Sequence, residues 1–126
     1  MCILLGEQGS EKLSEETSGA ELLSSVVLLL ETRRNLIRLT RAGLLTPQNY
    51  KVCLDRVGTD VQFFVLRDLT RDLCDTTIMP AVTTPRSLDL VHLRTALWFH
   101  AAERVDRFVT MDATQRQAAK ELGLEV

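Results

Sequence analysis

The segment that most constrains this chain is Val61-Gln62-Phe63-Phe64-Val65-Leu66. It is short, apolar and rich in β-branched and aromatic side chains, and it lies between stretches with helical periodicity. A run of this kind reads as a strand. Three weaker candidates accompany it: Glu21-Leu22-Leu23, Arg107-Phe108-Val109-Thr110 and Leu124-Glu125-Val126. Brief apolar strands alternating with helices predict an α/β fold with a mostly parallel sheet.

The helices between them are delimited by local chemistry. Val26, Leu29, Leu30, Leu36 and Ile37 recur at helical spacing over residues 25–42, and Gly43 is the expected stop. Arg33, Arg34, Arg38 and Arg41 weight the C-terminal half, where the helix dipole favours positive charge. Thr46-Pro47 opens a second helix, Thr46 as N-cap and Pro47 at the first helical position. Tyr50, Cys53, Leu54 and Val57 form its apolar stripe, with Gly58 as the expected end. A third helix is predicted over 68–75 and a loop over 80–85. A fourth begins at Ser87 as N-cap, with Leu88, Val91, His92, Thr95, Ala96 and Phe99 on one face. Asp112 caps a fifth, with Gln115 placed for a capping box, and Gly123 ends it. The residues from Glu11 to Glu16 could form one more short helix.

Composition narrows the possible functions. The chain has 126 residues, the size of one domain, and a net charge of -2, so it is neither a basic nucleic-acid arm nor an acidic tail. The longest uncharged apolar stretch, Leu22 to Leu30, is too short to span a membrane. No basic stretch precedes an apolar run near Met1, so no secretory signal is expected and the location is read as cytoplasmic. Cys2, Cys53 and Cys74 lack metal-ligand spacing and are read as reduced thiols. No Gly-rich phosphate loop and no nucleophile elbow is present. His92 and His100 are separated by about 12 Å along a helix, too far to share a metal. His92 reads as a core histidine.

Three carboxylates remain. Asp89 and Asp112 lie at predicted helix starts, where ligands bind in parallel sheets. Glu31 follows Leu28-Leu29-Leu30, where an unpaired carboxylate is costly. Together they could hold Mg²⁺ or Mn²⁺, hard cations that prefer oxygen ligands. The same residues have plainer readings: Asp89 complements a helix dipole, Asp112 serves only as a cap, and Glu31 faces solvent beside Arg34 and Asn35.

The C-terminal residues carry a resemblance. Asp89-Leu90-Val91-His92-Leu93-Arg94-Thr95-Ala96, Phe108-Val109-Thr110-Met111-Asp112 and Ala118-Ala119-Lys120-Glu121-Leu122-Gly123-Leu124 together resemble the end of a PIN-domain protein, nearest to the toxins of VapBC toxin–antitoxin pairs. Gly6-Glu7-Gln8-Gly9-Ser10-Glu11 resembles a turn of that family. The stretch from Ser24 to Leu36 resembles its second block. The resemblance implies a three-layer α/β/α fold and a Mg²⁺- or Mn²⁺-dependent ribonuclease that hydrolyses RNA phosphodiester bonds. It implies Glu31, Asp89 and Asp112 as the acidic positions, with Thr110 ordering the site. It also implies a cognate antitoxin and a homodimer. Arg33, Arg34 and Arg38 could contact phosphates or an antitoxin, or form only a solvated helix face. The family opens on a strand ending in Asp, and the matching segment here starts at Cys2-Ile3-Leu4. The expectation is that Met1 to Leu5 fills or lies beside that strand's slot, from the same chain or exchanged from a second copy, or else that the sheet is rearranged, and that cleavage is weakened without its Asp. The alternative is a PIN module that binds RNA or a protein without cleaving.

Overall fold

A computed structural model describes residues 20–83 and 86–126. The expectations for Met1 to Leu5, for the Gly6–Glu11 turn and for a helix over Glu11 to Glu16 lie outside the described residues. The described elements are β1 (Leu22–Ser25), α1 (Val27–Arg41), α2 (Pro47–Asp60), a short 3-10 turn (Val61–Phe63), β2 (Phe64–Arg67), α3 (Arg71–Cys74), α4 (Ser87–Ala102) and α5 (Ala113–Glu121). Among the described residues, β1 and β2 form a two-stranded parallel sheet. Val26 N–H extends the pairing to Arg67 C=O at 2.9 Å. The chain is a mixed α/β protein, and it falls into two compact units. One contains Val27–Val65, and the other contains Leu23–Val26 and Leu66–Val126.

In the first unit α1 packs against α2. Gly43 ends α1 at φ +75°, a conformation that costs residues with a Cβ. Gly43 N–H bonds Thr40 C=O at 3.1 Å, and Leu44 N–H bonds Leu39 C=O at 2.9 Å. This pair of bonds is the Schellman closure. The Thr46 hydroxyl then accepts Asn49 N–H at 3.1 Å and starts α2 as the sequence predicts. Val27, Thr32 and Leu36 are buried on α1, whereas α2 buries nothing completely. Tyr50, Cys53, Leu54 and Val57 are half-buried along its stripe.

The second unit has a closed apolar cluster. Leu93 of α4, Ala118 and Ala119 of α5, and Leu124 beyond it are buried together. Met79, Val82, Leu97 and Phe108 pack around them. Two alanines side by side leave room for the larger side chains opposite. Gly123, at φ +82°, ends α5 as Gly43 ends α1. Its N–H reaches Lys120 C=O at 2.9 Å, and Leu124 N–H reaches Ala119 C=O at 3.0 Å. Leu73 is buried in α3, which packs on α4.

Several expectations are corrected. Gly58 does not end α2: the ladder continues through it, and Val61 N–H still bonds Val57 C=O. The first half of the Val61–Leu66 run is consequently drawn into a 3-10 turn, and the strand shifts to Phe64–Arg67. The third helix shrinks to Arg71–Cys74. Arg86, not Ser87, is the N-cap of α4. Residues 107–110 and 124–126 form no strand; they meet through one bond, Phe108 N–H to Glu125 C=O at 2.6 Å. A strand needs a ladder partner, and a single bond does not make one.

Candidate functional site

Asp112 stands at the entrance to α5 within a closed ring of hydrogen bonds. Its Oδ1 accepts Gln115 N–H at 3.0 Å, the N-cap bond expected from the sequence. The other half of the expected capping box is altered. The Gln115 carboxamide does not reach the Asp112 N–H. That N–H donates instead to the Thr110 hydroxyl oxygen at 3.1 Å. The same hydroxyl donates to Gln115 Oε1 at 2.6 Å. Thr110 is thus interposed between the two capping residues, accepting from one and donating to the other. Gln115 is buried at 7% exposure, whereas Asp112 is exposed. The buried carboxamide has its polar demand met within the ring, as burial of a polar group requires.

Asp89 plays the reciprocal part in the first turn of α4, reaching back to the N-cap backbone. Its Oδ2 accepts Arg86 N–H at 3.0 Å, and the side chain is half-buried. Asp89 and Asp112 belong to the second unit and Glu31 to the first. Glu31 is half-buried in the first turns of α1 and has an interaction partner. Among the described residues, no three His, Cys, Asp or Glu side chains form a group able to hold a metal ion.

The arginines of α1 face outward. Arg33, Arg34 and Arg38 are exposed, and Arg38 Nη2 donates to Asn35 Oδ1 at 2.6 Å. Arg56 pairs with Asp60 at 3.6 Å along α2. His92 is half-buried on α4 and has a partner. His100 Nδ1 accepts Val105 N–H at 3.0 Å beyond the end of α4.

Two features were not foreseen. The Arg67 guanidinium lies 4.5 Å from the centroid of the Trp98 ring, a cation–π contact. Trp98 in turn meets Phe99 edge-on at 5.2 Å. Isolated aromatic and basic residues thirty positions apart give no local signal for such stacking. Gln115 was legible only as a capping-box partner, and its link through Thr110 depends on a residue ahead of the cap.

No helix among the described residues is long and apolar enough to cross a membrane. No family model, curated protein or solved structure matches the chain.

Proposed function

We propose that the chain is a metal-dependent endoribonuclease of the PIN type, the toxin of a toxin–antitoxin pair, with a three-layer α/β/α fold. What carries this reading is the C-terminal block. Its motif-like residues coincide with a local arrangement suited to presenting carboxylates. Asp89 and Asp112 each stand at the start of a helix, and each commits one oxygen to a backbone N–H. A carboxylate has about four lone-pair sites, so capacity remains for a cation.

The reading assigns Glu31, Asp89 and Asp112 to a Mg²⁺ or Mn²⁺ ion. Carboxylate oxygen is what hard cations take, but among the described residues no three such side chains form a group that could hold one. When bound, the ion supplies charge neutralisation at the phosphodiester and acidifies water for attack on phosphorus. The protein's own part is positional. The Gln115 N–H fixes one Asp112 oxygen, the Arg86 N–H fixes one Asp89 oxygen, and exposed Arg33, Arg34 and Arg38 contact RNA phosphates or antitoxin carboxylates. In this reading the protein acts in the cytoplasm. It forms a homodimer, supported by exposed Leu30, Leu44 and Phe63 in the first unit. Light scattering giving only a monomer at tens of micromolar would refute the dimer.

The test of function is cleavage of a mixed RNA pool with Mg²⁺ or Mn²⁺. Chelator-sensitive cleavage that is abolished by Asp112→Asn supports the reading. Asn also caps helices well, so α5 is kept while the charge is removed. RNA binding without cleavage supports the second reading, a module that binds and does not cut. The cap bonds of Asp89 and Asp112 favour that reading to the extent that they explain both acids without a metal.

A further inference from the structure

Arg67 is the last residue of β2, and its backbone is fixed there because its C=O accepts Val26 N–H at 2.9 Å. Its side chain is held as well. The guanidinium lies 4.5 Å from the Trp98 ring centroid, and its Nε is buried without a hydrogen-bond partner. An unmet buried donor costs stability, more so on a charged group. An apolar side chain would cover Trp98 without that cost, so the charge itself calls for an explanation. Arg94 stands four residues before Trp98 on α4, one turn away on the same side. It spends Nε on Asp75 C=O at 3.2 Å. The Thr70 hydroxyl, and behind it the charges of Arg67 and Arg94, hold the Asp72 carboxyl below its usual range. Both arginines therefore act on one small region of the second unit.

We infer that Arg67 and Arg94 form an oxyanion site that takes a phosphate group beside Trp98. A guanidinium carries five N–H donors in one plane. Stacking on Trp98 occupies the face of the Arg67 group and leaves its in-plane edge for two phosphate oxygens, the bidentate match that arginine makes best. Trp98 also orders the side chain beforehand, which lowers the entropy that binding would cost. The carboxyl end of a parallel strand is where such sheets take ligands. Arg67, Arg94, Trp98 and Asp72 all belong to the second unit, so the site needs no residue of the first and no cation. It stands independently of the proposed cleavage. Two sources carry such a group: a free phosphate or phosphomonoester, and the phosphodiester backbone of RNA.

Trp98 is the one tryptophan of the chain, so its indole N–H gives a single reporter signal in NMR of the labelled full chain. The metal-free chain is titrated with inorganic phosphate, and with an RNA tetranucleotide bearing or lacking a 5′-phosphate. Ionic strength is held constant with chloride, so that screening alone moves nothing. Thermal melting of each variant is followed in parallel. The wild type should show a saturable shift of the indole signal. Arg67→Lys, which keeps charge but loses the bidentate edge, and Arg94→Gln should each weaken binding about tenfold. Asp72→Asn should tighten it about twofold to fivefold, because a competing negative charge is removed. Arg41→Gln, on exposed surface of the first unit, should leave it unchanged. Binding that requires the 5′-phosphate supports the site with a phosphomonoester as ligand, and equal binding of both tetranucleotides supports it with the phosphodiester. No saturable shift with any of the probes would overturn the inference. So would undiminished binding in a folded Arg94→Gln chain, or an equal loss in Arg41→Gln.

Discussion

The two units of this chain close their helices in the same way and pack them differently. Gly43 and Gly123 both sit at positive φ, and each is followed by the same pair of backbone bonds. Thr46 and Asp112 both accept the N–H three residues on. Around these matched termini, the second unit buries Leu93, Ala118, Ala119 and Leu124 in one cluster. Among the described residues of the first unit, the buried apolar ones are Val27 and Leu36, both on α1, and Leu30, Val52 and Phe63 are largely exposed. Helix ends are set by a few neighbouring residues, whereas cores are set by what meets across the fold. A unit can therefore be well punctuated without being well packed.

The largest predicted contrast follows from this. Leu93→Ala should cost about 2–5 kcal/mol in urea unfolding, since it empties a fully buried site. Val52→Ala, on exposed α2 surface, should stay within about 0.5 kcal/mol. Comparable losses at both positions would erase the distinction between the units.

The caps should behave alike despite the different packing. Gly43→Ala and Gly123→Ala should each cost about 1–2 kcal/mol, because only the left-handed backbone penalises the new Cβ. Nothing lies within 4 Å of a Cβ built at either position. A markedly larger loss at one site would show that its surroundings, not its φ, dominate.

Threonines sharpen the comparison further. Thr40 and Thr95 hydroxyls donate to the carbonyls of Leu36 and Val91 four residues back, at 2.8 and 2.7 Å. The buried Thr32 hydroxyl has no hydrogen-bond partner. Thr32→Val should therefore be neutral or stabilising by about 1 kcal/mol, because an unmet buried hydroxyl carries a desolvation penalty. Thr95→Val should not gain in this way. Equal shifts in chemical denaturation would contradict the assignment.

The smallest effect is one of pH. The Thr70 hydroxyl holds the Asp72 carboxyl below its usual range, helped by Arg67 and Arg94. The Thr77 N–H, 3.0 Å from Asp75 Oδ1, does the same for Asp75. A carboxyl depressed in the folded state adds stability above its unfolded range, and that stability is lost as pH falls through the folded value. Asp75→Asn should therefore melt slightly below wild type at neutral pH. The gap should close as pH falls through the folded carboxyl's lowered range. A gap that widens on acidification would reverse the sign.

What was legible in the sequence follows the same division. Thr46-Pro47, Gly43, Asp112 and Gly123 were readable because each terminus is fixed within about five residues. The helical stripe of α2 was readable because periodicity is local; on α4 the expected face was only partly right, since Leu88 on it is exposed and Leu93 off it is fully buried. Arg107–Thr110 and Leu124–Val126 misled because strand character depends on a distant partner, and only Phe108 and Glu125 meet. Gly58 misled because glycine permits a left-handed stop without compelling one. Of the site, the cap role of Asp112 was legible, and the Thr110 link to Gln115 was not.

The proposed function stands or falls on a cation held by carboxylates, with Glu31, Asp89 and Asp112 as the proposed ligands. Mn²⁺ titrated into the isotope-labelled chain, with amide broadening mapped residue by residue, tests it most directly. The account predicts that signals of all three acids broaden together at the same low Mn²⁺ concentration, and that Asp112→Asn abolishes the broadening at Glu31 and Asp89. Broadening confined to one of the three, or centred on other carboxylates, would contradict it.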